Sequence, residues 1–232
     1  MKYLMKLELK KHPIAWFIKG SILANVLIVS MLILLIYVEQ LEGEVVYRTA
    51  SDFYMTSGIL IRATFIVFAA VLISKLVIDE FKNRTSLVLF SYPINRKSLM
   101  IAKILLIFAL TLSAMVISTL VVVGSFIGLN ELFGFADHLN LTSQSIWPEL
   151  LSMMLFNIVA AGTSLVPVYF GMRKHSVPAT IVSSLIIILI TNSSLGTEFS
   201  LINLLYLPAI LAAVAVIIVM QTVQKVDRMD LR

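Results

Sequence analysis

The sequence contains no cysteine and carries little charge. None of its 232 residues is cysteine, and Asp, Glu, Lys and Arg together make up 13% of the chain. The first absence excludes disulfides, thiolate metal sites and cysteine nucleophiles. The second leaves the chain with about half the charged fraction of an ordinary soluble domain, whereas 59% of its residues are hydrophobic. Because a soluble fold could not bury so much apolar surface, the composition predicts an integral membrane protein.

Charge is scarcest in six long apolar runs. A helix needs about 20 mostly apolar residues to cross a hydrocarbon core of about 30 Å, and these runs are too continuous for the alternating strands of a membrane barrel. We therefore predict an all-α integral membrane protein with a single transmembrane domain over residues 1–232. Its six transmembrane helices are expected near residues 21–38, 59–78, 104–127, 150–171, 176–195 and 201–220.

The distribution of basic residues predicts the orientation. With the N-terminus in the cytoplasm, all but two of the 18 lysines and arginines fall on the cytoplasmic side, the exceptions being Arg48 and Arg62. Such a bias sets the topology of membrane proteins, and an even number of helices returns the C-terminus to the same side. We expect a multi-pass protein of the cell membrane, in a bacterial cell, with both termini cytoplasmic.

The formal net charge of +5 raises the question of nucleic-acid binding. The basic residues flank apolar spans and do not form a patch with interleaved aromatics, so we expect no nucleic-acid partner. Near the N-terminus Lys2, Lys6 and Lys10 recur every four residues and would share one face of a helix that ends at Pro13. This spacing predicts an interfacial amphipathic helix whose lysines contact anionic membrane lipids.

The connection between the second and third spans has an ordered pattern. Glu80 extends the second helix beyond the headgroups, and Asn83 and Thr85 are turn and N-cap residues. Residues 86–90 can form about one helical turn before Pro93 stops it. The pattern predicts a short cytoplasmic helix between two membrane helices.

This connection resembles that of the membrane subunits of type-2 ATP-binding cassette exporters. Those subunits show an acidic residue, a turn with threonine, a leucine-rich short helix, then proline, arginine and a lysine just inside the third helix. The chain differs at Arg84, where the family usually has glycine, which affects the geometry of the turn. The matching positions are Glu80, Thr85, Leu87, Leu89, Pro93, Arg96 and Lys103.

The resemblance implies a role and partners for the segment. In the family it is the coupling helix, which fits a groove on the nucleotide-binding subunit, and Glu80 could there pair with a basic group. The implied partners are ABC ATPase subunits, which bind ATP and Mg, and a second permease copy or a homologous permease. A solvated, positively charged loop is the alternative. The expected coupling residues are Glu80, Phe81, Asn83, Arg84, Thr85, Leu87, Leu89, Pro93 and Arg96.

The sequence lacks the residue patterns that catalytic and ion-coupled functions require. There is no Gly-rich phosphate loop followed by Lys and Ser or Thr, so we expect no enzyme activity and no cofactor in this chain. No Asp or Glu lies inside the six predicted spans, which disfavours proton- or sodium-coupled transport. An intramembrane enzyme would need paired Asp residues, Ser with His, or a zinc site, and none is present in the spans, so no metal site is expected.

The sequence thus favours a permease subunit of an ATP-driven exporter. Small members of the resembling family suggest an amphipathic, antimicrobial or cytolytic peptide as cargo. A permease for lipids or drugs remains open, because an apolar lining does not encode its cargo. A membrane anchor or sensor subunit without transport also remains open.

Some residues within the spans carry structural expectations. Arg62 lies three residues into the second predicted span and can extend its side chain to the interface. Asn157 needs a partner on another helix. Gly124 and Gly128, one turn apart, predict a close helix approach, and Pro167 predicts a kink in the fourth span.

Overall fold

The structure is a computed structural model. It describes residues 15–42, 49–82, 96–134, 143–174 and 176–192, with residues 5, 47, 210, 213–218 and 220–221. Within this part of the chain every regular element is helical, which confirms the predicted all-α class. The elements are α1 (Ala15–Glu42), α2 (Ala50–Ile73), the π-helix π1 (Ser74–Ile78), α3 (Asp79–Lys82), α4 (Arg96–Phe133), α5 (Ser143–Thr163), α6 (Pro167–Lys174) and α7 (Val177–Asn192).

Four helices are long and apolar enough to cross a membrane. They cover Ala15–Val38, Ala50–Ile78, Lys97–Phe133 and Ile146–Lys174, and α7 is a shorter apolar helix. The first five predicted spans thus lie on helices, and the end of the fifth, 193–195, lies outside the described residues. The sixth predicted span, 201–220, lies largely outside the described residues. The number of membrane crossings and the single domain over 1–232 stay predictions.

Local capping explains why α2 begins well before its predicted start. The Thr49 hydroxyl accepts a bond from the Asp52 N–H at 3.4 Å, and the Asp52 carboxylate accepts one from the Thr49 N–H at 2.9 Å. This reciprocal arrangement is a capping box with aspartate in place of glutamate. The apolar runs locate where a helix can lie in the membrane, but the polar cap decides where it begins.

Helix α4 ends at a glycine. Gly134 has a φ of 61°, and its N–H donates to the Asn130 carbonyl at 2.7 Å. This left-handed residue with a bond back to the last helical turn is the αL C-cap, a conformation that glycine adopts without steric cost. Residues 130–133 therefore belong to α4, and residues 143–149 belong to the start of α5.

The fourth span is interrupted before Pro167, as predicted. Residues 164–166 form a turn in which the Leu165 N–H bonds to Gly162 and the Val166 N–H to Thr163, at 3.2 and 3.0 Å. Proline has no N–H to continue the α-helical ladder and disfavours helical geometry in the residue before it. The chain tightens through this turn and resumes as α6.

The described chain divides into two compact units. Unit 1 comprises residues 1–14, 65–112 and 158–232, and unit 2 comprises residues 15–64 and 113–157. In unit 2 the rings of Phe53 and Phe126 stack with centroids 4.0 Å apart. In unit 1 the fully buried side chains include Phe65, Ile73 and Ile107.

The first helix shows how the chain meets its surroundings. Its buried apolar residues, including Ala24, Ile28, Leu32 and Ile36, recur at helical spacing along one stripe. Many of its other residues are exposed and apolar, with Leu23 62% exposed. In water such a surface would be a liability, whereas lipid tails are as apolar as leucine. The surface is that of a multi-pass membrane protein.

Candidate functional site: the buried Glu80–Lys103 junction

A buried ion pair lies in unit 1 at the end of the second membrane helix. Glu80, in α3, is 8% exposed and Lys103, in α4, is 2% exposed, and the lysine ammonium bonds to the glutamate carboxylate. Lys103 also donates to the Leu76 carbonyl at 2.8 Å. One ammonium group thus ties α4 to two points on the adjoining helix. We call Leu76, Glu80 and Lys103 the junction.

The junction incorporates a departure from α-helical geometry. Leu76 lies within π1, at whose end the Asp79 N–H donates to the Ser74 carbonyl, five residues back. The Ser74 hydroxyl bonds in turn to the Ala70 carbonyl at 2.9 Å. Short π segments within α-helices occur frequently at functional sites. Here the segment leads directly into α3 and Glu80, so its geometry sets the position of the carboxylate.

A second contact holds π1, and it is made by α6 and α7, which follow α4 along the chain. A Cβ on Gly171 of α6 would overlap the Thr180 hydroxyl of α7 and would lie 2.8 Å from the Ile78 Cδ1 of π1. Only a residue without a side chain permits this approach. Gly171 therefore brings α6, α7 and π1 together, and Lys103 brings α4 to the same π segment.

Electrostatics makes the junction sensitive to loss of either charge. Removing two charges from water is costly, and mutual attraction with further hydrogen bonds offsets that cost. Deleting one member of a buried pair typically costs about 3–5 kcal/mol, because the other charge is left uncompensated. Glu80 and Lys103 are therefore interdependent. The arrangement links the end of the second membrane helix to α4, and its described residues offer no nucleophile or acid–base pair exposed to a substrate.

The predicted coupling residues are only partly within the described chain. Glu80 is buried and bonded to Lys103, another position of the sequence pattern. Phe81 lies in α3 and Arg96 begins α4, but their side chains are not among those described. Contact with an ATPase and lipid contact at the N-terminus stay predictions. Outside the described residues lie Asn83, Arg84, Thr85, Leu87, Leu89 and Pro93, the short helix expected at 86–90, and Lys2, Lys6 and Lys10.

Unit 2 contains a basic residue in a different environment. The Arg62 guanidinium lies 5.3 Å from the ring centroid of Phe156, and its Nη1 is 2.9 Å from where a Cβ on Gly58 would lie. No carboxylate of the described residues forms an ion pair with it or acts on its charge. Because α2 begins at Ala50, Arg62 is about 18 Å along the helix from its start, at about 1.5 Å per residue. It is much further from the helix end than the sequence indicated.

The predicted role of Asn157 is confirmed. Its side-chain amide donates to the Thr119 hydroxyl of α4 at 2.9 Å, and both residues are fully buried. On the preceding residue of α4, in the same unit, the Ser118 hydroxyl bonds to the Asn25 side chain of α1. These bonds join three helices through polar side chains in an otherwise apolar setting.

Sequence reasoning misjudged which glycines make close contacts. Nothing among the described residues lies within 4 Å of a Cβ placed on Gly124 or Gly128, so the predicted close approach there is wrong. The true close approach is at Gly171, which carried no small-residue repeat to mark it. Lys103 was part of the predicted pattern, but only the pairing of α3 with α4 revealed its bond to Glu80. Within the described chain no group of three His, Cys, Asp or Glu residues could hold a metal ion.

A family model and one relative match most of the chain. A family model described as ABC-2 family transporter protein matches residues 4–192. The uncharacterized protein YcbO of Bacillus subtilis (strain 168) is 40% identical over 227 residues, covering 98% of this chain and 99% of that protein. No solved structure matches.

Proposed function

The chain belongs to the ABC-2 transporter family as a transmembrane component, and from that premise we propose that it is an export permease driven by a separate ATPase through residues 80–96. The observation that carries the proposal is the buried Glu80–Lys103 pair with its bond to the Leu76 carbonyl. This pair joins α3, which leads into residues 80–96, to α4, which follows them. A push on the segment therefore acts on α4 and π1 together.

Buried charges support transmission of motion better than apolar contacts would. An ion pair with a defined hydrogen-bond geometry resists sliding, because partial separation leaves both charges uncompensated. Apolar side chains can shift against one another at lower cost. The junction therefore favours movement of α3 and α4 as one body when a partner binds the intervening segment.

The permease would supply half of the translocation path. The described chain consists of apolar helices, and the implied partners are ATPase subunits with bound ATP and Mg and a second permease copy or homologue. We propose an amphipathic, antimicrobial or cytolytic peptide as cargo. The exposed apolar helix surfaces are compatible with that cargo, and equally with a lipid or drug.

The test is ATP hydrolysis by the complex co-expressed with its ATPase and reconstituted in lipid vesicles. Arg84→Glu and Leu87→Asp change the predicted contact surface and keep the side chains of both Glu80 and Lys103. We expect both to lose co-purification of the ATPase or at least about tenfold of its activity, as for disruption of a charged or apolar interface centre. Arg173→Glu, at an exposed residue of α6, is the matched control and should retain both.

The choice of variants depends on the junction. Glu80→Ala would leave Lys103 buried without its carboxylate, so loss of activity could reflect misfolding. Retention of full ATPase activity by both Arg84→Glu and Leu87→Asp would contradict the proposed coupling. Failure of any ATPase to associate would instead favour a non-transporting anchor or sensor. Cargo is tested separately, by ATP-dependent uptake of labelled cationic peptide, phospholipid or dye into inverted vesicles.

A further inference from the structure

Arg62 is a charged residue in an apolar helix for which no described residue supplies a countercharge. It lies within the membrane-spanning segment Ala50–Ile78, and no described carboxylate pairs with it. A charged side chain in a membrane helix is costly unless it reaches the interface or a partner, and such residues usually mark a functional site. The side chain is directed toward the N-terminal end of α2, against Gly58, which lies just outside the predicted span 59–78, and over Phe156.

The surroundings of Arg62 are shaped to hold a guanidinium group. Gly58, one turn earlier on the same face, leaves the space that its Nη1 occupies, since a Cβ there would be only 2.9 Å away. The Phe156 ring faces the cation at 5.3 Å. An aromatic face and a glycine fix the position of the charge without neutralising it. The five N–H donors of arginine are therefore available to an outside acceptor.

A second unsatisfied donor lies on the same helix face. Tyr54 precedes Gly58 by four residues and Arg62 by eight, so the three share one side of α2. The Tyr54 side chain is 1% exposed, and its hydroxyl has no hydrogen-bond partner among the described residues. Buried hydroxyls nearly always have a partner. Neither the phenol nor the guanidinium has a hydrogen-bond acceptor among the described residues, although the Glu149 carboxylate acts electrostatically on Tyr54.

We propose that Arg62 and Tyr54 form a binding site for the phosphate of an anionic phospholipid. A planar guanidinium matches a phosphate in a bidentate geometry, and a phosphodiester carries the missing negative charge. A phospholipid brings acyl chains as well as a phosphate to a residue on a membrane helix. Leu151 and Leu155, on the helix that carries Phe156, are 64% and 46% exposed and offer an apolar strip for such chains. The site does not depend on the proposed ATPase coupling.

The site can be tested with the purified full-length chain in a neutral detergent. Phosphatidylglycerol and phosphatidylcholine are titrated separately, and binding is followed by native mass spectrometry and by the midpoint of thermal unfolding. We expect phosphatidylglycerol to bind preferentially and Arg62→Gln to weaken it by at least about tenfold, as for loss of a charge-assisted hydrogen bond. The matched control is Lys75→Gln, which removes a positive charge at an exposed position of the same continuous helix and should change binding less than twofold.

Two further variants cover failure of Arg62→Gln to fold. Arg62→Lys keeps the charge but loses the planar donor pair, and Tyr54→Phe removes a hydroxyl that has no partner in the described chain. Both should fold and should bind phosphatidylglycerol several-fold more weakly. Wild-type affinity in both variants would overturn the proposal, as would equal binding of the two lipids or equal losses in Arg62→Gln and Lys75→Gln. Competition by free glycerol phosphate at the lipid's own concentration would show a phosphate site instead of a lipid site.

Discussion

Two basic residues in apolar helices have opposite environments, one in each unit. Lys103, in unit 1, is bonded to the Glu80 carboxylate and the Leu76 carbonyl, so its charge is fully engaged within the chain. Arg62, in unit 2, lies over an aromatic ring with no described carboxylate. The first arrangement joins helices, and the second leaves donors available. The role of a basic residue within a span therefore depends on its neighbours and not on its position alone.

The largest expected effect tests Lys103, whose ammonium is bonded to the Glu80 carboxylate. Lys103→Met should lower the free energy of unfolding by about 3–5 kcal/mol, because Glu80 would remain buried without its countercharge. The measurement is thermal unfolding of the purified chain in detergent. Lys174→Met, at the exposed end of α6, is the control and should have little effect. A double variant Glu80→Gln, Lys103→Met should recover much of the loss, and equal instability of the single and double variants would refute interdependence.

The next effect concerns the close approach that holds π1. Gly171→Ala should destabilise the chain by about 1–3 kcal/mol, since the added methyl would overlap the Thr180 hydroxyl and the Ile78 side chain. Gly124→Ala adds the same methyl to a helix where nothing described lies within 4 Å. That control should be neutral or stabilising. The same unfolding assay would count against the close approach if the two variants behaved alike.

A smaller effect is expected where polar groups pair without charge. Asn157 and Thr119 should show a coupling energy of about 0.6 kcal/mol, the average for interhelical hydrogen bonds in a membrane protein. It is measured by a double-mutant cycle of Asn157→Ala and Thr119→Val in unfolding experiments. Additive losses from the two single variants would show that the bond contributes no coupling.

The smallest expected effect tests Arg62, which pairs with no described carboxylate. Without anionic lipid, Arg62→Met should leave stability within about 1 kcal/mol of the wild type, because the lost interaction with Phe156 is offset by removal of an unpaired charge. This outcome contrasts with Lys103→Met, although both variants remove one positive charge from an apolar helix. Unfolding in lipid-free neutral detergent measures it. A loss as large as that of Lys103→Met would show that Arg62 is structurally engaged as well.

The sequence predicted the helical membrane class and the approximate place of the described spans from apolar runs alone. It predicted the break at Pro167 because proline disrupts the helix wherever its neighbours lie. The start of α2 was missed, although Thr49 and Asp52 carry a capping signal. The close approach at Gly171 left no local signal, because its cause is the side chains of Thr180 and Ile78 on other elements.

The candidate sites divide in the same way. Glu80 and Lys103 stood out in a sequence pattern, and the residue types alone identified a charged connection between two apolar helices. Only the tertiary structure decided that the two charges face each other and that Arg62 faces an aromatic ring. Hydrophobic content and helix breakers act locally along the chain, so sequence alone determined the class of protein. The fate of each buried charge depends on what another helix places within a few ångströms, which only packing determines.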